Sequence, residues 1–257
     1  MPAGYAHYTF GQKVLNKLSN NTKRIIINNI DLYNIGVHGP DILFYHNALK
    51  PNNISKLGST LHREEAYQFF KHAKEVIHQS KDKEASLAYI YGFITHFTLD
   101  HACHNYVDDV EREKDITHLE IESELDRAIL VNEGHNPLTT SLTKHIHPNH
   151  YVSRIIAPFF DLEEKNIYKS LKDLLLYLGL IKAPSKLKRS VVLSCMKIGG
   201  IYESHKGLMI NYKPNKKAIE STQELLNRLD NNIDLAVKLI EEFNKEELNE
   251  IYHYNFE

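Results

Sequence analysis

The chain has 257 residues and a nearly balanced charge, with 31 Lys and Arg against 33 Asp and Glu and a formal net charge of −2. This balance argues against a protein that binds nucleic acid mainly through its phosphates. The chain contains 16 His but only 2 Cys and no Trp. That composition favours metal sites built from nitrogen and oxygen ligands, and it excludes zinc fingers and iron–sulfur clusters, since those need several thiolates.

The N-terminal sequence has no basic segment followed by a long apolar one, so a secretory signal is not predicted. No stretch approaches the roughly 18 apolar residues of a membrane span. Cys103 and Cys195 belong to no motif, and two free thiols are expected. The predicted location is the cytoplasm, with peripheral membrane contact left open and no prediction of oligomeric state.

The dominant hydrophobic period along the chain is helical. Apolar residues at helical spacing predict helices over residues 67–77 and 85–100, and residues 217–252 are predicted to form a helix in one or two pieces. Glycine and proline predict breaks at residues 36–40, 51–58, 134–148 and 179–184. We therefore expect an all-α protein of about eight to ten helices. Residues 1–257 are predicted to form a single domain, with a looser part beyond residue 150 as the alternative.

The most informative segment is YIYGFITHFTLDHACHNY, residues 89–106. His96, Asp100 and His104 stand at i, i+4 and i+8, so their side chains share one face of a helix. Eight residues of helix rise about 12 Å, which is too far for one zinc ion to bind both ends at ligand distances of about 2.0–2.1 Å. If all three side chains bind metal, at least two ions are needed, and Asp100 is the natural bridging carboxylate.

A second pair follows in the segment THLEIESELD, residues 117–126. His118 and Glu122 again stand one helical turn apart and can bind one metal ion between them. Asp126, one turn further on, is predicted to orient a ligating imidazole. Three more candidate ligands lie upstream, at His7, Asp41 and His62, so the metal motifs are confined to residues 7–126.

A single His-x3-Asp pair on a helix is more often a surface contact or a buried structural pair than a metal site. Two such pairs close in sequence, with His104 between them, favour metal binding. His101 falls outside the i, i+4 register and is expected to point elsewhere. A surface metal site at His145, His147 and His150 stays open as a separate hypothesis.

The order of these ligands resembles that of the bacterial zinc-dependent phospholipase C family, which includes secreted phosphatidylcholine-hydrolysing enzymes and the catalytic domain of clostridial alpha-toxin. That family has the order His, Asp, His, His-x3-Asp, His, His-x3-Glu. The same order occurs here as His7, Asp41, His62, His96, Asp100, His104, His118 and Glu122. The resemblance covers roughly residues 5 to 130 and implies an all-α fold that holds zinc ions in a cleft.

The resemblance also implies a division of the ligands among two or three zinc ions. One ion would be bound by Asp41, His62, His96 and Asp100. A second would be bound by His104, His118 and Glu122, and a third by His7 together with Asp100 as the bridging ligand. Asp41 would in addition steer the attacking water, which makes it the predicted catalytic residue.

This chain departs from the secreted enzymes in three respects. Three residues separate Asp100 from His104 where the family has five, and Asp41 and His62 are spaced more widely. The family's N-terminal tryptophan is absent, and the amine of Pro2, after removal of Met1, is the candidate substitute. Ile42 and Ser59 stand where choline-recognising members have aromatic residues, which disfavours phosphatidylcholine as the substrate.

The sequence therefore predicts a zinc-dependent phosphodiester hydrolase that acts on a phospholipid or a small phosphodiester. A nuclease or nucleotidase with a similar three-zinc site is the alternative enzyme, and the near-neutral charge counts against it. An HD-type phosphohydrolase is disfavoured because His101 follows the aspartate instead of preceding it. An inactive, metal-binding or metal-storing helical protein is the alternative outside the enzymes.

Overall fold

Every regular element of the chain is helical in a computed structural model that describes residues 4–50 and 52–256, which confirms the all-α prediction. Pro2 lies outside these residues. The α-helices are α1 (Gly4–Lys17), α2 (Asn20–Asn28), α3 (Ile30–Gly36), α4 (Asn53–Arg63), α5 (Ala66–Gln79), α6 (Lys83–Glu113), α7 (His118–Asn132), α8 (His150–Ile156), α9 (Glu164–Ile181), α10 (Lys186–Ile198), α11 (Tyr202–His205), α12 (Ile219–Asn231) and α13 (Ile233–Glu242). Short 3₁₀-helices span Gly39–Leu43, Ala157–Phe160, Lys206–Leu208, Lys216–Ala218 and Glu250–His253.

The described part of the chain thus has thirteen α-helices, more than the eight to ten predicted. Three of them, α3, α8 and α11, have seven residues or fewer, which is too short for a helical period to be detected. The predicted helix over 67–77 lies within α5 and that over 85–100 within α6. Within the predicted segment 217–252, residues 219–231 and 233–242 form α12 and α13, which confirms a helix in two pieces. The prediction is wrong for residues 243–249, which are not helical, and 3₁₀-helices lie at the two ends of the segment.

The long helix α6 is the central element of the fold. Almost every side chain from Ala85 to Asp100 is buried, as expected for a helix that is apolar around its circumference. Helix α3 packs directly against its backbone. A Cβ atom added to Gly36 would lie 2.2 Å from the Tyr89 carbonyl oxygen, and one added to Gly92 would lie 2.3 Å from that of Tyr33. This contact sets the position of the 3₁₀-helix that follows α3.

The predicted breaks over 51–58 and 179–184 are partly wrong. The reason is that glycine is tolerated inside a helix at a cost of about 1 kcal/mol relative to alanine. Gly58 lies within α4, where its missing side chain leaves room for Phe44 and Leu43. Helix α4 begins after Asn52, whose side chain accepts the amides of Ile54 and Ser55. In the same way α9 continues through Gly179 to Ile181. The break over 134–148 is confirmed as a segment without α-helix, and the break over 36–40 is confirmed from residue 37 onward, since Gly36 is the last residue of α3.

The buried apolar core runs from Tyr5 near one end of the chain to Phe256 near the other. A smaller apolar cluster, centred on Ala183, Met196 and Met209, lies apart from it. The organisation into a single domain stays a prediction. Cys103 and Cys195 are free thiols, as expected. None of the helices described is long and apolar enough to cross a membrane.

Candidate metal centre

Four helices and a 3₁₀-helix bring all eight predicted ligands into one region. Helix α1 supplies His7, the 3₁₀-helix Gly39–Leu43 supplies Asp41, and α4 supplies His62. Helices α6 and α7 supply the other ligands, which are His96, Asp100, His104, His118 and Glu122. Seven of the eight residues are buried and His118 is partly buried. Three groups of these side chains have ligand atoms within 4.8 Å of one another.

The first group joins Asp41, His62 and His96. The Asp41 Oδ1 atom lies 3.1 Å from His62 Nε2 and 4.0 Å from His96 Nε2. Gly39 makes this approach possible, because its backbone has φ of +50° and an added Cβ would lie 2.1 Å from the His96 ring. A residue with a side chain at this position would collide with the imidazole.

The second group joins His7, His96 and Asp100. Asp100 Oδ2 lies 3.0 Å from His96 Nε2, whereas Asp100 Oδ1 lies 3.1 Å from His7 Nε2 and 3.6 Å from His104 Nδ1. The two carboxylate oxygens therefore face different imidazoles. This is the arrangement that a bridging ligand requires, and His96 and Asp100 are the residues through which neighbouring groups meet.

The third group joins His104, His118 and Glu122. His118 Nε2 lies 3.1 Å from Glu122 Oε1 one helical turn away, and the His104 and His118 rings are 5.3 Å apart. Helix α7 begins at His118 because Thr117 caps it, accepting the amide of Glu120, whose side chain accepts the Thr117 amide in return. This capping box sets the position of His118 opposite α6.

Several buried nitrogen and oxygen atoms of the predicted ligands make no hydrogen bond. They are both ring nitrogens of His96, His7 Nδ1, His62 Nε2, His118 Nε2, Asp41 Oδ1, Asp100 Oδ2 and Glu122 Oε2. A buried polar group without a partner costs about 1–3 kcal/mol, so this many in one place is unfavourable unless a bound group satisfies them. Imidazole nitrogens and carboxylate oxygens are the donors that zinc takes, and the residues present fit such ions.

Backbone carbonyls and one carboxylate orient three of the imidazoles. His62 Nδ1 donates to the Gly58 carbonyl at 2.7 Å and His104 Nδ1 to the Phe256 carbonyl at 3.1 Å. His118 Nδ1 lies 3.2 Å from Asp108 Oδ1. Such bonds fix the tautomer and leave the other nitrogen for a metal. Asp108 is not among the predicted site residues, although it stands one turn after His104, and nothing in the sequence around Phe256 indicates that its carbonyl orients His104.

Electrostatic shifts at the site follow from the close packing of acids and imidazoles. Burial acts to raise the pKa of Asp100, but His96, His104 and His7 outweigh it and hold that pKa well below its usual value. Burial acts to lower the pKa of His118, yet the Glu122 carboxylate, assisted by Asp108, raises it to about 9. In the metal-free protein, Asp100 is therefore ionised and His118 is protonated at neutral pH.

Asp126 makes different hydrogen bonds from the one predicted. Its Oδ1 accepts the amide of Ala6 at 2.8 Å and its Oδ2 accepts the amide of Tyr5 at 3.3 Å. It binds the first turn of α1 instead of an imidazole, and it positions the helix that contains His7. Burial raises the pKa of Asp126 to about 8, against the effect of these two amides.

The hypothesis of a surface metal site at His145, His147 and His150 is wrong. His145 is buried and its Nε2 pairs with His38 Nε2 at 2.8 Å. His147 pairs with Asp31 and His150 with Glu164, so the three rings have separate partners. His101 points away from the metal groups, as expected, and stacks on Phe97.

A small cleft reaches the centre between α1, α6, α7 and α12. His7, Asp100, His104 and Glu122 line it together with apolar side chains that include Leu225. Its volume of ≈ 20 Å³ is enough for a water molecule, which needs about 10–15 Å³. A water molecule therefore fits in the cleft beside these ligand side chains.

The family model of zinc dependent phospholipase C matches residues 6–174. This span contains all eight predicted ligands and extends beyond the region in which the sequence alone showed the resemblance. Searches of curated proteins and of solved structures gave no significant match. From the family match, supported by a buried site of histidines and carboxylates, we conclude that this chain belongs to the zinc-dependent phospholipase C family.

Proposed function

We propose that this protein is a zinc-dependent phosphodiester hydrolase of the phospholipase C type, with two or three zinc ions. The observation that supports it most is the joining of three ligand groups through His96 and Asp100, with buried ligand atoms left without hydrogen bonds. The family match supports zinc and phosphodiester chemistry at the coarser level. Hydrolysis at this site, and the number of ions, are the parts that we propose.

The proposed division of the ligands among the ions is the one that the family resemblance implies. Asp41, His62 and His96, whose ligand atoms lie within 4.8 Å of one another, would bind one zinc ion together with Asp100, and His104, His118 and Glu122 would bind a second. His7 would bind a third together with Asp100, whose two oxygens face different imidazoles. Bound zinc lowers the pKa of a coordinated water toward about 7 and stabilises negative charge on phosphoryl oxygens.

Asp41 is the proposed catalytic residue, which would direct the attacking water. Burial acts to raise the pKa of the Asp41 carboxyl, but neighbouring positive charges, including His96 and His62, lower it to about 2. The carboxylate is thus ionised near neutral pH and able to accept a hydrogen bond. An Asp41→Asn variant that binds zinc normally and turns over substrate at the wild-type rate would exclude this role.

The substrate we propose is a phospholipid or a related small phosphodiester other than phosphatidylcholine. Ile42 follows Asp41 and is fully buried, so it offers no aromatic face to a choline head group. Ser59 has no ring to offer either. A cytoplasmic location and peripheral contact with a membrane stay predictions.

Metal analysis followed by a substrate screen tests the proposal. We expect two or three zinc ions per chain in protein purified without chelator, and their loss in His96→Ala. His147→Ala is the matched control, because His147 is exposed and pairs only with a surface aspartate. The screen compares phosphodiesters with different head groups and single-stranded nucleic acid. Less than one bound zinc per chain, or no hydrolysis of any phosphodiester by the zinc-loaded protein, would overturn the proposal.

A further inference from the structure

Helix α10 exposes an aliphatic stripe to water. Leu187, Val191 and Ile198 are 77%, 53% and 88% exposed. At about 100° per residue, these three side chains lie within roughly 40° of one another around the helix. Of the 13 residues of α10, all of which are described, only Met196 is buried, and it points about 180° away from Leu187. The helix therefore packs on the protein through one side and presents an aliphatic side to water.

The end of α9 extends this exposed surface. Lys188 Nζ donates to the carbonyls of Gly179 at 3.0 Å and Lys182 at 2.7 Å, which joins the start of α10 to the end of α9. Leu180 is 49% exposed, and Leu176 one turn earlier is 56% exposed. Exposed apolar side chains that are concentrated in one part of a surface are typical of a binding site, whereas scattered single ones are not.

The same stretch of the chain is positively charged. Residues 174–202 contain no Asp or Glu but five basic residues, which are Lys182, Lys186, Lys188, Arg189 and Lys197. The nearest acids in the sequence, Asp173 and Glu203, pair with Lys169 and Lys206 instead. The protein as a whole has a net charge of −2, so this stretch is a local excess of positive charge beside exposed aliphatic side chains.

Lysines border the aliphatic stripe on both sides. Lys186 and Lys197 are exposed and lie about 80–100° to one side of Leu187, and Lys188 lies about 100° to the other. A lysine can bury its aliphatic stem in an apolar layer while its ammonium stays in the polar one. An aliphatic helix face bordered by lysines is the pattern of a helix that lies in the interface of an anionic membrane.

A protein partner fits this surface less well. In a two-fold dimer built through α10, the same basic helix of two copies would meet, and like charges repel. Protein interfaces are depleted in lysine and enriched in aromatic residues, whereas this stripe consists of Leu, Val and Ile with lysines at its borders. An anionic lipid surface complements both the aliphatic side chains and the charge.

We infer that α10, together with the end of α9, docks this protein on an anionic lipid surface through Leu187, Val191 and Ile198. This docking surface is separate from the metal centre. The family match ends at residue 174, so membership of the family does not account for the surface. Docking requires no catalytic step, and its test is therefore independent of the proposed function.

Co-sedimentation of the zinc-loaded protein with vesicles tests the inference. The vesicles consist of phosphatidylcholine alone or of phosphatidylcholine mixed with phosphatidic acid, whose phosphate is a monoester. We expect binding to the mixed vesicles, weaker binding to phosphatidylcholine alone, and loss of the difference at high salt, which screens the charges. Absence of binding to the mixed vesicles at low salt overturns the inference, and it leaves zinc content and hydrolysis of soluble esters unaffected.

Substitutions in the stripe locate the docking surface. Leu187→Ala and Ile198→Ala should each weaken binding to the mixed vesicles by roughly tenfold or more, because each removes three apolar carbon atoms from the membrane contact. Lys186→Gln should weaken it by about fivefold, with little change on phosphatidylcholine alone. All three residues are exposed, and thermal melting checks that the variants are folded.

Matched controls lie on other helices. Ile27 on α2 is 58% exposed, and Lys71 on α5 is exposed. Ile27→Ala and Lys71→Gln should leave vesicle binding unchanged, and losses equal to those of the stripe variants overturn the inference. Sedimentation velocity tests the competing occupant. A dimer in solution that Ile198→Ala converts to a monomer would assign the stripe to a second copy and overturn the inference.

Cys195 allows a direct measurement of the docked face. It is an exposed free thiol on α10, one turn after Val191. Burial raises the pKa of the other thiol, Cys103, to about 12, so an environment-sensitive maleimide fluorophore attaches preferentially to Cys195. We expect its emission to shift to the blue when the mixed vesicles are added. If the vesicle-bound protein shows no shift, another face is docked and the inference is wrong.

Discussion

Residues 6–174 and residues 175–256 differ in what they bury and what they expose. Among the described residues, the first region contains every buried histidine and carboxylate, whereas the only buried polar residues of the second are Ser221 and Thr222. The second region contains most of the exposed large apolar side chains. Those on α9 and α10 are Leu176, Leu180, Leu187, Val191 and Ile198.

This contrast indicates a division of tasks between the two regions. Burying a charged group costs free energy unless the group is paired or binds a metal ion. The buried acids and imidazoles of the first region therefore suit a metal centre. Exposing apolar groups to water is unfavourable unless another molecule covers them. The exposed apolar surface of the second region therefore suits the binding of another molecule. The regions also meet, because Phe256 packs near the His62 ring at 5.5 Å and its carbonyl accepts the hydrogen bond of His104.

The largest effect is expected from a substitution inside the first region. Asp100→Asn removes the carboxylate that faces His7, His96 and His104, so at least one zinc ion should be lost. Activity should fall by roughly a thousandfold or more, since metal-assisted charge stabilisation is worth several kcal/mol. Metal content per chain and kcat/KM measure the effect. Asp109→Asn on the same helix, an exposed residue, should change neither quantity.

The second prediction tests whether residues 175–256 stabilise the candidate metal centre in residues 6–174. Phe256 is fully buried, and Phe256→Ala should lower the free energy of unfolding by about 3–5 kcal/mol. It should also weaken zinc binding, because the segment that holds His104 in place loses its anchor. Urea unfolding and zinc titration are the measurements. Tyr254→Ala, at a residue 60% exposed, is the control, and equal effects of both variants would argue against a specific role of Phe256.

A smaller effect is expected from the carboxylate that orients His118. Asp108→Ala removes the partner of His118 Nδ1, and losses of roughly 10–100-fold in metal affinity are usual when such a partner is removed. Chelator competition measures the zinc affinity, with the adjacent Asp109→Ala as control. An unchanged zinc affinity would show that Asp108 is only a surface carboxylate near the imidazole.

The smallest effect concerns pH. His118 has a pKa of about 9 in the metal-free protein, so below that pH a zinc ion must displace its proton. Affinity at the group of His104, His118 and Glu122 should therefore rise with pH, by about tenfold per unit for this one proton between about pH 6 and pH 8. Stepwise zinc titrations at several pH values test this. A pH-independent zinc affinity at the group of His104, His118 and Glu122 would contradict it.

Much of the candidate site was predictable because its ligands follow helical spacing. His96, Asp100 and His104 share a face of α6, and His118 and Glu122 share a face of α7, so local geometry alone brings each set together. Asp126 is the exception, because its helical spacing does not bring it to an imidazole. It continues the same face of α7, but α1 lies closer to it than any imidazole does, and its carboxylate binds two backbone amides instead.

The sequence by itself determined the all-α class, the residue types of a candidate nitrogen and oxygen metal site, and the position of Asp100 between His96 and His104 on one helix face. These depend on composition and on contacts within one or two helical turns. Only the tertiary structure decided which imidazole nitrogens face the centre, and that Asp108 and Phe256 orient two of the imidazoles. Those features join residues far apart in the chain, and helix packing, which no local pattern encodes, sets the distances between them.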